Sequence, residues 1–342
     1  MFPLLIRTIV PSILIAGSCM PASSTQPWAC KTAPRLDAGG GQSDTGGQQF
    51  GIGNCLEATT AVGERAAKNP KDARANLLVA RCYFERADYE KAVAYAGRAV
   101  ELEPHSSEGH RWLGRSYGLK AEHEHSMLSA KRVRQEFELA VQLDPGNLAA
   151  RRDLMEFYLE APWFLGGSQD KAWQQAEAIA ARDKVEGHLA RAAFWQSRRQ
   201  PLRAEVEYRQ ILNLRPKRVE PYFAIAEFYE NRANGAEVEG ALGAAAHVRP
   251  DDPRLDYYRG VACVLERGPL PEAERFLRNY LARAPMRHPD FPSHAAAHEW
   301  LGRLYEQWGK TQQAVEGYQT ALRLDAHRRK ARAALARLHG EQ

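Results

Sequence analysis

The sequence lacks most of the patterns that identify enzymes and nucleic-acid-binding proteins. No glycine-rich loop follows an evident strand, and no GxSxG, HExxH or P-loop pattern occurs, so no catalytic residue can be assigned. With 47 basic and 42 acidic residues the formal net charge is only +5 over 342 residues, whereas nucleic acid binding needs a concentrated basic face. We therefore expect neither catalysis nor nucleic acid binding.

Cysteine is scarce as well, with five residues in the chain and no CxxC or Cys/His spacing typical of a metal or haem site. His123 and His125 do not suggest a metal site, because residues two apart on a helix point in different directions. Cys30 and Cys55 flank a glycine- and glutamine-rich segment and could pair in an oxidising compartment. The sequence thus predicts no metal, no cofactor and one possible disulfide.

Long apolar runs are also missing, and the run near the N-terminus is too short for a comfortable membrane span. Residues 1–18 nevertheless have the outline of an export signal, with a cation at Arg7, a short apolar run and small residues. The stretch AGSC, which ends at Cys19, resembles the lipobox of bacterial lipoproteins, in which the cysteine becomes the lipidated first residue of the mature chain. Ordinary cleavage after Ser18 is the alternative. We expect either a soluble periplasmic protein or a lipoprotein anchored to an envelope membrane.

Between residues 19 and 53 the composition shifts to glycine, serine, glutamine and proline, which predicts a flexible tether. Beyond the tether, proline recurs after long amphipathic blocks, and the step from Pro216 to Pro250 is 34 residues. A period of this length is typical of stacked helical hairpins. The prolines that follow the blocks are Pro104, Pro145, Pro216, Pro250 and Pro285.

Small and aromatic residues recur at fixed positions within these blocks. Their pattern resembles the tetratricopeptide repeat family, whose unit has a small residue and an aromatic in its first helix, and alanine, an aromatic, alanine and proline in its second. The C-terminal unit shows it best, with Leu301, Gly302, Tyr305, Ala314, Tyr318 and Ala321, and the first clear unit has Ala80, Tyr83, Ala92, Ala99 and Pro104.

The resemblance implies an all-α fold, a right-handed superhelical solenoid of about seven helical hairpins within residues 54–342. A partial helix is expected near Glu57 to Ala67, and Arg328 to Leu338 is expected to form the polar C-terminal capping helix. The chain also looks similar to exported bacterial tetratricopeptide proteins of uncharacterised role, a likeness that implies no activity.

Two adjacent units are longer than the others. The second has about two extra helical turns between Tyr117 and Pro145, and the third has about five extra residues in its hairpin turn. That turn contains Trp163, Phe164 and Leu165, which we predict to be mostly buried against the extension of the second unit. An exposed recognition element is the alternative. The predicted contacts of the three side chains are Met127, Leu128 and Val133.

In this architecture the first helices of the hairpins line the concave face, and residues three or four apart on them project into it. We predict a face that is basic at its N-terminal end, acidic in the middle and aromatic towards the other end, so that the basic part suits a peptide with acidic and apolar residues. Alternatively, these charges only solvate the helices. The predicted partner-binding residues are Arg74, Arg81, Arg111, Trp112, Arg115 and Arg152, then Glu220, Phe223, Glu227 and Glu230, and finally Tyr257, Tyr258, Trp300 and Arg303.

The function indicated by these patterns is a non-catalytic scaffold that binds a protein or peptide partner in the bacterial cell envelope. A lipid anchor at Cys19 would hold it to a membrane. One alternative is a self-associating component of an envelope or secretion assembly, and another is an accessory subunit of an envelope enzyme. The identity of the partner and the oligomeric state are open at this level.

Overall fold

A computed structural model of the protein describes residues 70–283 and 291–340. These residues contain fifteen α-helices, one short 3-10 helix and no β-strand. The expected signal peptide over 1–18, the tether over 19–53, the partial helix near Glu57 to Ala67, and Cys19, Cys30 and Cys55 all lie outside the described residues. No helix in the described ranges is both long enough and apolar enough to cross a membrane.

The described chain divides into two compact units, one on each side of the junction between Leu214 and Arg215. The N-terminal unit has eight helices in four hairpins. They are α1 (Ala73–Glu85), α2 (Tyr89–Leu102), α3 (Ser107–Glu124), α4 (Met127–Leu143), α5 (Leu148–Glu160), α6 (Gln169–Ala180), α7 (Lys184–Ser197) and α8 (Pro201–Leu214), with the 3-10 helix Trp163–Leu165 between α5 and α6.

The C-terminal unit has three further hairpins and a last helix. They are α9 (Glu220–Asn231), α10 (Gly235–Val248), α11 (Arg254–Leu265), α12 (Leu270–Leu281), α13 (His294–Gln307), α14 (Thr311–Leu324) and α15 (Arg329–Gly340). The last helix packs on α14 and buries Ala331 and Leu338. The sequence prediction of an all-α fold of stacked helical hairpins with a C-terminal capping helix is confirmed.

Polar caps and prolines set the ends of the helices. At the start of α1 the Asp72 carboxylate accepts a hydrogen bond from the Ala75 amide at 2.9 Å, and serine or asparagine caps begin several later helices in the same way. The second helices α2, α4, α8 and α10 each end two residues before a proline, which cannot donate the amide hydrogen bond needed to continue a helix. The recurring prolines therefore mark the ends of hairpins, as the sequence predicts.

Glycine allows the two helices of a hairpin to approach closely. A Cβ added at Gly114 in α3 would lie 2.6 Å from the Phe137 ring of α4, and one added at Gly302 in α13 would lie 2.7 Å from the Tyr318 ring of α14. Any larger residue would push these helices apart. Within each unit the first helices of successive hairpins also contact one another, so these helices, α1, α3, α5 and α7 or α9, α11 and α13, line what we call the inner face.

The two lengthened repeats are present as predicted. Helices α3 and α4 have 18 and 17 residues, whereas the other helices have 12 to 14. The turn between α5 and α6 covers residues 161–168, whereas residues 86–88 suffice between α1 and α2. The second hairpin therefore has longer helices, and the third has a longer turn between its helices.

Candidate functional site

Three arginines surround one tryptophan on the inner face of the N-terminal unit. The guanidinium carbon of Arg81 lies 4.9 Å from the Trp112 ring centre, that of Arg111 lies 5.4 Å away, and that of Arg115 lies 4.7 Å away. The ring is buried, and Phe84 meets it edge-on at 5.5 Å between centres. A cation above an aromatic ring is attracted by the negative charge density of the ring face, so these contacts hold the three guanidinium groups in place. The structure thus brings together four of the residues predicted for the basic end.

Carboxylates form ion pairs with some of the arginines on this face. The Nε atom of Arg111 donates to Asp153 Oδ2 at 2.7 Å, and its Nη1 atom donates to Glu108 Oε1 at 3.1 Å. The Trp112 indole also donates to Glu108, at 2.7 Å. Arg152, another predicted residue, pairs with Glu186 of α7 at 2.7 Å. This end of the face is therefore a mixed network of both charges rather than a basic surface.

Two of the arginines predicted for this face, Arg74 and Arg115, differ from the paired arginines. Arg74 is exposed on the first turn of α1 and is not part of the arginine group around Trp112. Arg115 has a buried Nε atom with no hydrogen-bond partner among the described residues, and burial lowers the pKa of its guanidinium group. A buried hydrogen-bond donor without an acceptor destabilises the folded state. Arg115 is therefore a candidate contact for a bound partner that supplies an acceptor.

A cavity of about 40 Å³ opens beside Arg115, between α3, α4 and α5. Its apolar wall comes from aliphatic and aromatic side chains, while Asp153, Glu156 and Glu160 of α5 supply carboxylates. A Cβ added at Gly118 would meet nothing within 4 Å, so the cavity is open at that point. The wall residues are Ala130, Val133, Phe137, Phe157, Ala161 and Leu165.

The carboxylates of the cavity have perturbed acidity. Loss of solvation on burial raises the pKa of Glu156 to about 7, with a further contribution from the Asp153 charge. The pKa of Glu160, which keeps solvent access at the rim, is also raised, chiefly by lost solvation and then by Glu156 and Glu122. Sequence analysis missed this group, although the spacing i, i+3, i+7 of the three acids of α5 places them on one helix face.

The turn over residues 161–168 forms one boundary of this cavity. Leu165 is only 1% exposed and packs on Ala121 and Ala130, whereas Trp163 is 84% exposed and Phe164 is 46% exposed. The prediction that all three side chains are buried is therefore wrong for the two aromatic residues. At this point Leu165 packs against Ala121 of α3 and Ala130 of α4, with Ala161 beside them.

The predicted contacts of this turn are also wrong in part. Met127 and Leu128 are exposed, and Val133 is buried in a different cluster with Phe137. The alternative interpretation, an exposed element, describes the positions of Trp163 and Phe164 correctly.

Hydrogen bonds hold the turn in one shape. The Leu165 and Gly167 amides donate to the Pro162 carbonyl oxygen at 3.0 and 3.1 Å. The Ser168 amide donates to the main-chain carbonyl oxygen of Tyr158 in α5 at 2.9 Å. Gly166 has a φ of 105°, a conformation that glycine adopts without strain. The Trp163 and Phe164 rings meet edge to face at 5.9 Å. The exposed aromatic pair is thus presented on an ordered base.

The inner face of the C-terminal unit is packed differently. The indole of Trp300 and the hydroxyl of Tyr257 both donate to Glu230 Oε1, at 2.7 and 2.8 Å. Burial raises the pKa of Glu230, while these two hydrogen bonds oppose the rise. Three predicted residues from α9, α11 and α13 therefore meet in one satisfied network.

A buried arginine that sequence analysis missed organises the rest of this face. Arg254 is 1% exposed and makes a two-bond contact with Asp252, from Nε at 2.9 Å and from Nη2 at 2.8 Å. Its guanidinium group lies 4.1 Å from the Phe223 ring centre and 4.6 Å from that of Phe291. Phe223 in turn stacks on Tyr258 at 5.7 Å. The sequence gives no periodic signal for Arg254, because its partner lies two residues away in the loop before α11.

The predicted aromatic end is therefore not an accessible surface. Phe223, Tyr257, Tyr258 and Trp300 are all buried, since they pack against one another's helices or close over Arg254 and Glu230. Arg303 is exposed, with its guanidinium group 4.9 Å from the Trp300 ring centre. Glu220 and Glu227 are half-buried. A role of these residues in partner binding stays a prediction, which the burial of the rings restricts.

Known proteins share this architecture. The tetratricopeptide repeat model matches residues 73–106 and 295–328, which correspond to hairpins α1–α2 and α13–α14. These two hairpins match the tetratricopeptide repeat. One matched repeat lies in each unit, so the same repeat type underlies both. No curated protein sequence matches the chain significantly.

Solved structures of tetratricopeptide-like proteins resemble this repeat chain in fold. Yeast Tom70 superposes with a TM-score of 0.57 at 13% identity, covering 84% of this chain and 59% of Tom70. The human IFIT1 dimer with m7Gppp-AAAA gives 0.55 at 16% identity, covering 84% of this chain and 69% of that chain. The APC/C hetero-tetramer Cut9–Hcn1 gives 0.52 at 12% identity, covering 84% of this chain and 53% of that chain. The repeat chain thus spans about half of the matched Cut9–Hcn1 chain, and at these identities the likeness concerns the fold.

Proposed function

We propose that the protein is a non-catalytic scaffold that holds a protein or peptide partner on the inner face of its N-terminal unit, in the bacterial cell envelope. Helical repeat arrays commonly use their inner faces to bind extended partners. The observation that carries the proposal is the exposed pair Trp163 and Phe164, held on an ordered turn beside the cavity between α3 and α5.

Large exposed aromatic side chains on an ordered base favour binding for two reasons. Aromatic residues contribute strongly at protein interfaces because they bury a large apolar area with few rotatable bonds. A turn that is already fixed by hydrogen bonds also loses little conformational entropy when a partner binds. Leu165 belongs to both features, since it anchors the turn and lines the cavity. A partner seated on the cavity would therefore be in reach of the aromatic pair.

The inner face of the C-terminal unit offers less to a partner. Its rings are buried, and Glu230, Tyr257 and Trp300 satisfy one another with hydrogen bonds. Opening this network would cost the free energy of those contacts. The N-terminal unit is thus the better supported position of the binding site.

The envelope location rests on the export signal over residues 1–18 and the AGSC stretch that ends at Cys19. Metabolic labelling with a lipid precursor should mark the wild-type protein, and Cys19→Ala should abolish the mark. Unmarked protein in the periplasmic fraction would retain export and reject the lipid anchor. Full-size protein in the cytoplasm would reject both.

Binding is tested by site-specific photo-crosslinking in cells with a reactive amino acid at position 163. The matched control places it at position 202 in α8 of the same unit, because Leu202 is similarly apolar and 71% exposed. We expect a discrete crosslinked product from position 163 that is absent from position 202. Equal products from both positions, or none from position 163, would reject the site. A product containing a second copy of the chain would indicate self-association.

A further inference from the structure

The cavity beside Arg115 has a composition that narrows the chemistry of its occupant. It combines an apolar wall, which includes Phe157 and Leu165, with carboxylates of α5 at one side. Its volume of about 40 Å³ corresponds to about three water molecules, which is enough for the end of one side chain. The space is open at Gly118, where an added Cβ would meet no atom within 4 Å.

The charges around the cavity are unevenly satisfied. Asp153 receives the Arg111 hydrogen bond at 2.7 Å, but Glu156 and Glu160 have neither a hydrogen bond nor an ion pair among the described residues. The pKa of Glu156 is raised to about 7, chiefly because burial removes solvation and then because of the Asp153 charge, while the charges of Arg152, Arg115 and Arg111 only partly oppose the rise. A cation placed at this side of the cavity would supply the missing partner.

The lining of the cavity also includes an unmet donor. The buried Nε atom of Arg115 has no acceptor among the described residues. A main-chain carbonyl oxygen is an acceptor that a peptide can bring without an additional negative charge. One occupant would satisfy both the Arg115 donor and the unpaired carboxylates, provided that it combines a carbonyl oxygen, an apolar stem and a cationic end.

We propose that this cavity binds a lysine side chain of the partner peptide, with its methylene groups against Phe157 and Gly118 and its ammonium group between Glu156 and Glu160. The Arg115 Nε atom donates to a main-chain carbonyl oxygen of the same peptide. Lysine suits the site because its long apolar stem ends in a compact cation. The inference rests on the proposed function and specifies its ligand. It replaces the acidic peptide expected from sequence, since Arg111 and Arg152 are already paired with carboxylates.

The test begins with a displayed library of random dodecapeptides selected on the full-length protein. We expect enrichment of peptides with a lysine among apolar residues. Gly118→Leu fills the cavity and should weaken the best such peptide at least about tenfold, whereas Leu202→Ala should leave its Kd unchanged. Enrichment of acidic peptides, or a Kd unaffected by Gly118→Leu, would overturn the proposal.

A thermodynamic cycle then isolates the ammonium contact. Replacing the peptide lysine by norleucine keeps the stem and removes the charge, which should weaken binding to the wild type about tenfold. In the Glu156→Gln/Glu160→Gln protein the same replacement should change the Kd less than about twofold. Equal losses in the two proteins would overturn the ammonium contact. Because the carboxamide variant changes neither backbone nor volume, the cycle holds even if Gly118→Leu disturbs the fold.

The two proposals fail in different ways. Peptides that lose affinity on Trp163→Ala but carry no lysine would leave the scaffold site standing and reject the lysine cavity. A library that yields no peptide sensitive to either Trp163→Ala or Gly118→Leu would reject both.

Discussion

The inner faces of both units contain contacts between arginine and aromatic rings, but the two arrangements are opposite. In the N-terminal unit one buried tryptophan, Trp112, is surrounded by three arginines, whereas in the C-terminal unit one buried arginine, Arg254, is enclosed by Phe223 and Phe291. The first arrangement places three cations around one ring, and the second places a single cation between two rings. Arg115 of the first arrangement lines the cavity between α3, α4 and α5.

The difference shows which charged residues of a repeat protein belong to its packing and which remain for binding. Arg254 has its carboxylate partner two residues away and is closed on both faces, so it contributes to the fold. Arg115 has a buried Nε atom without an acceptor among the described residues, and it borders a cavity in which Glu156 and Glu160 have neither a hydrogen bond nor an ion pair among those residues. Residue type alone does not separate the two roles. They differ in whether each charged or polar group already has a hydrogen-bond or ion-pair partner within the protein.

The largest expected effect is at the enclosed arginine. Arg254→Ala removes the two-bond partner of the buried Asp252 and leaves only the more exposed Arg249 near its carboxylate, so we expect the free energy of unfolding to fall by about 3–5 kcal/mol. Denaturant titration measures the loss. The control Arg249→Ala removes a more exposed arginine 3.6 Å from the same carboxylate and should cost less than about 1 kcal/mol. Similar costs for the two variants would mean that Arg254 does not organise the C-terminal unit.

The next largest effect separates the anchor of the aromatic turn from its tip. Leu165→Ala should destabilise the protein by about 2–5 kcal/mol because the side chain is 1% exposed. Trp163→Ala should change stability by less than about 0.5 kcal/mol because that ring is 84% exposed. Thermal or denaturant unfolding distinguishes the two. A large loss with Trp163→Ala would restore the buried cluster that the sequence predicts.

Two glycines on α3 provide a smaller contrast within the N-terminal unit. Gly114→Ala places a Cβ 2.6 Å from the Phe137 ring and should destabilise the hairpin by about 1–3 kcal/mol. Gly118→Ala meets open space and should be neutral or stabilising by up to about 1 kcal/mol, since alanine favours helix over glycine. Equal destabilisation in unfolding experiments would show that no cavity lies beside Gly118.

The smallest effect concerns pH. Because the pKa of Glu156 in the folded protein, about 7, exceeds the ordinary 4.5, the folded state binds this proton more tightly, and stability should fall as pH rises through that interval. The charges that face Glu156 are Asp153, Arg152, Arg115 and Arg111.

Glu156→Gln should remove this part of the pH dependence. We expect a difference on the order of 1–2 kcal/mol, reduced because the carboxylate keeps some contact with solvent. The measurement is the free energy of unfolding as a function of pH, with the exposed Glu90→Gln as control. A slope unchanged by Glu156→Gln would contradict the burial of this carboxylate.

Local sequence patterns were sufficient to predict the hairpins. The prolines that follow α2, α4, α8 and α10 and the small residue Gly302 depend on neighbours within one repeat, so their spacing predicts the structure correctly. The extra length of α3 and α4 was predictable for the same reason.

The candidate site was less predictable because it depends on contacts between repeats. Helical spacing placed Arg81, Arg111 and Arg115 on one face, but it did not reveal that Asp153 of another hairpin neutralises Arg111. Nor did composition show that a single leucine would fill the space beneath the aromatic turn. Such outcomes depend on the volume and charge that neighbouring helices supply.

Hydroxyl-radical footprinting of the full-length protein, with and without a peptide selected on it, tests the central claim most directly. Binding on the inner face of the N-terminal unit predicts protection of Trp163 and Phe164 against oxidation, with no change at Leu202 or at Leu324 of the C-terminal unit, which are also exposed. Protection at Leu324 together with unchanged oxidation of Trp163 and Phe164 would contradict the claim and place the binding site in the C-terminal unit.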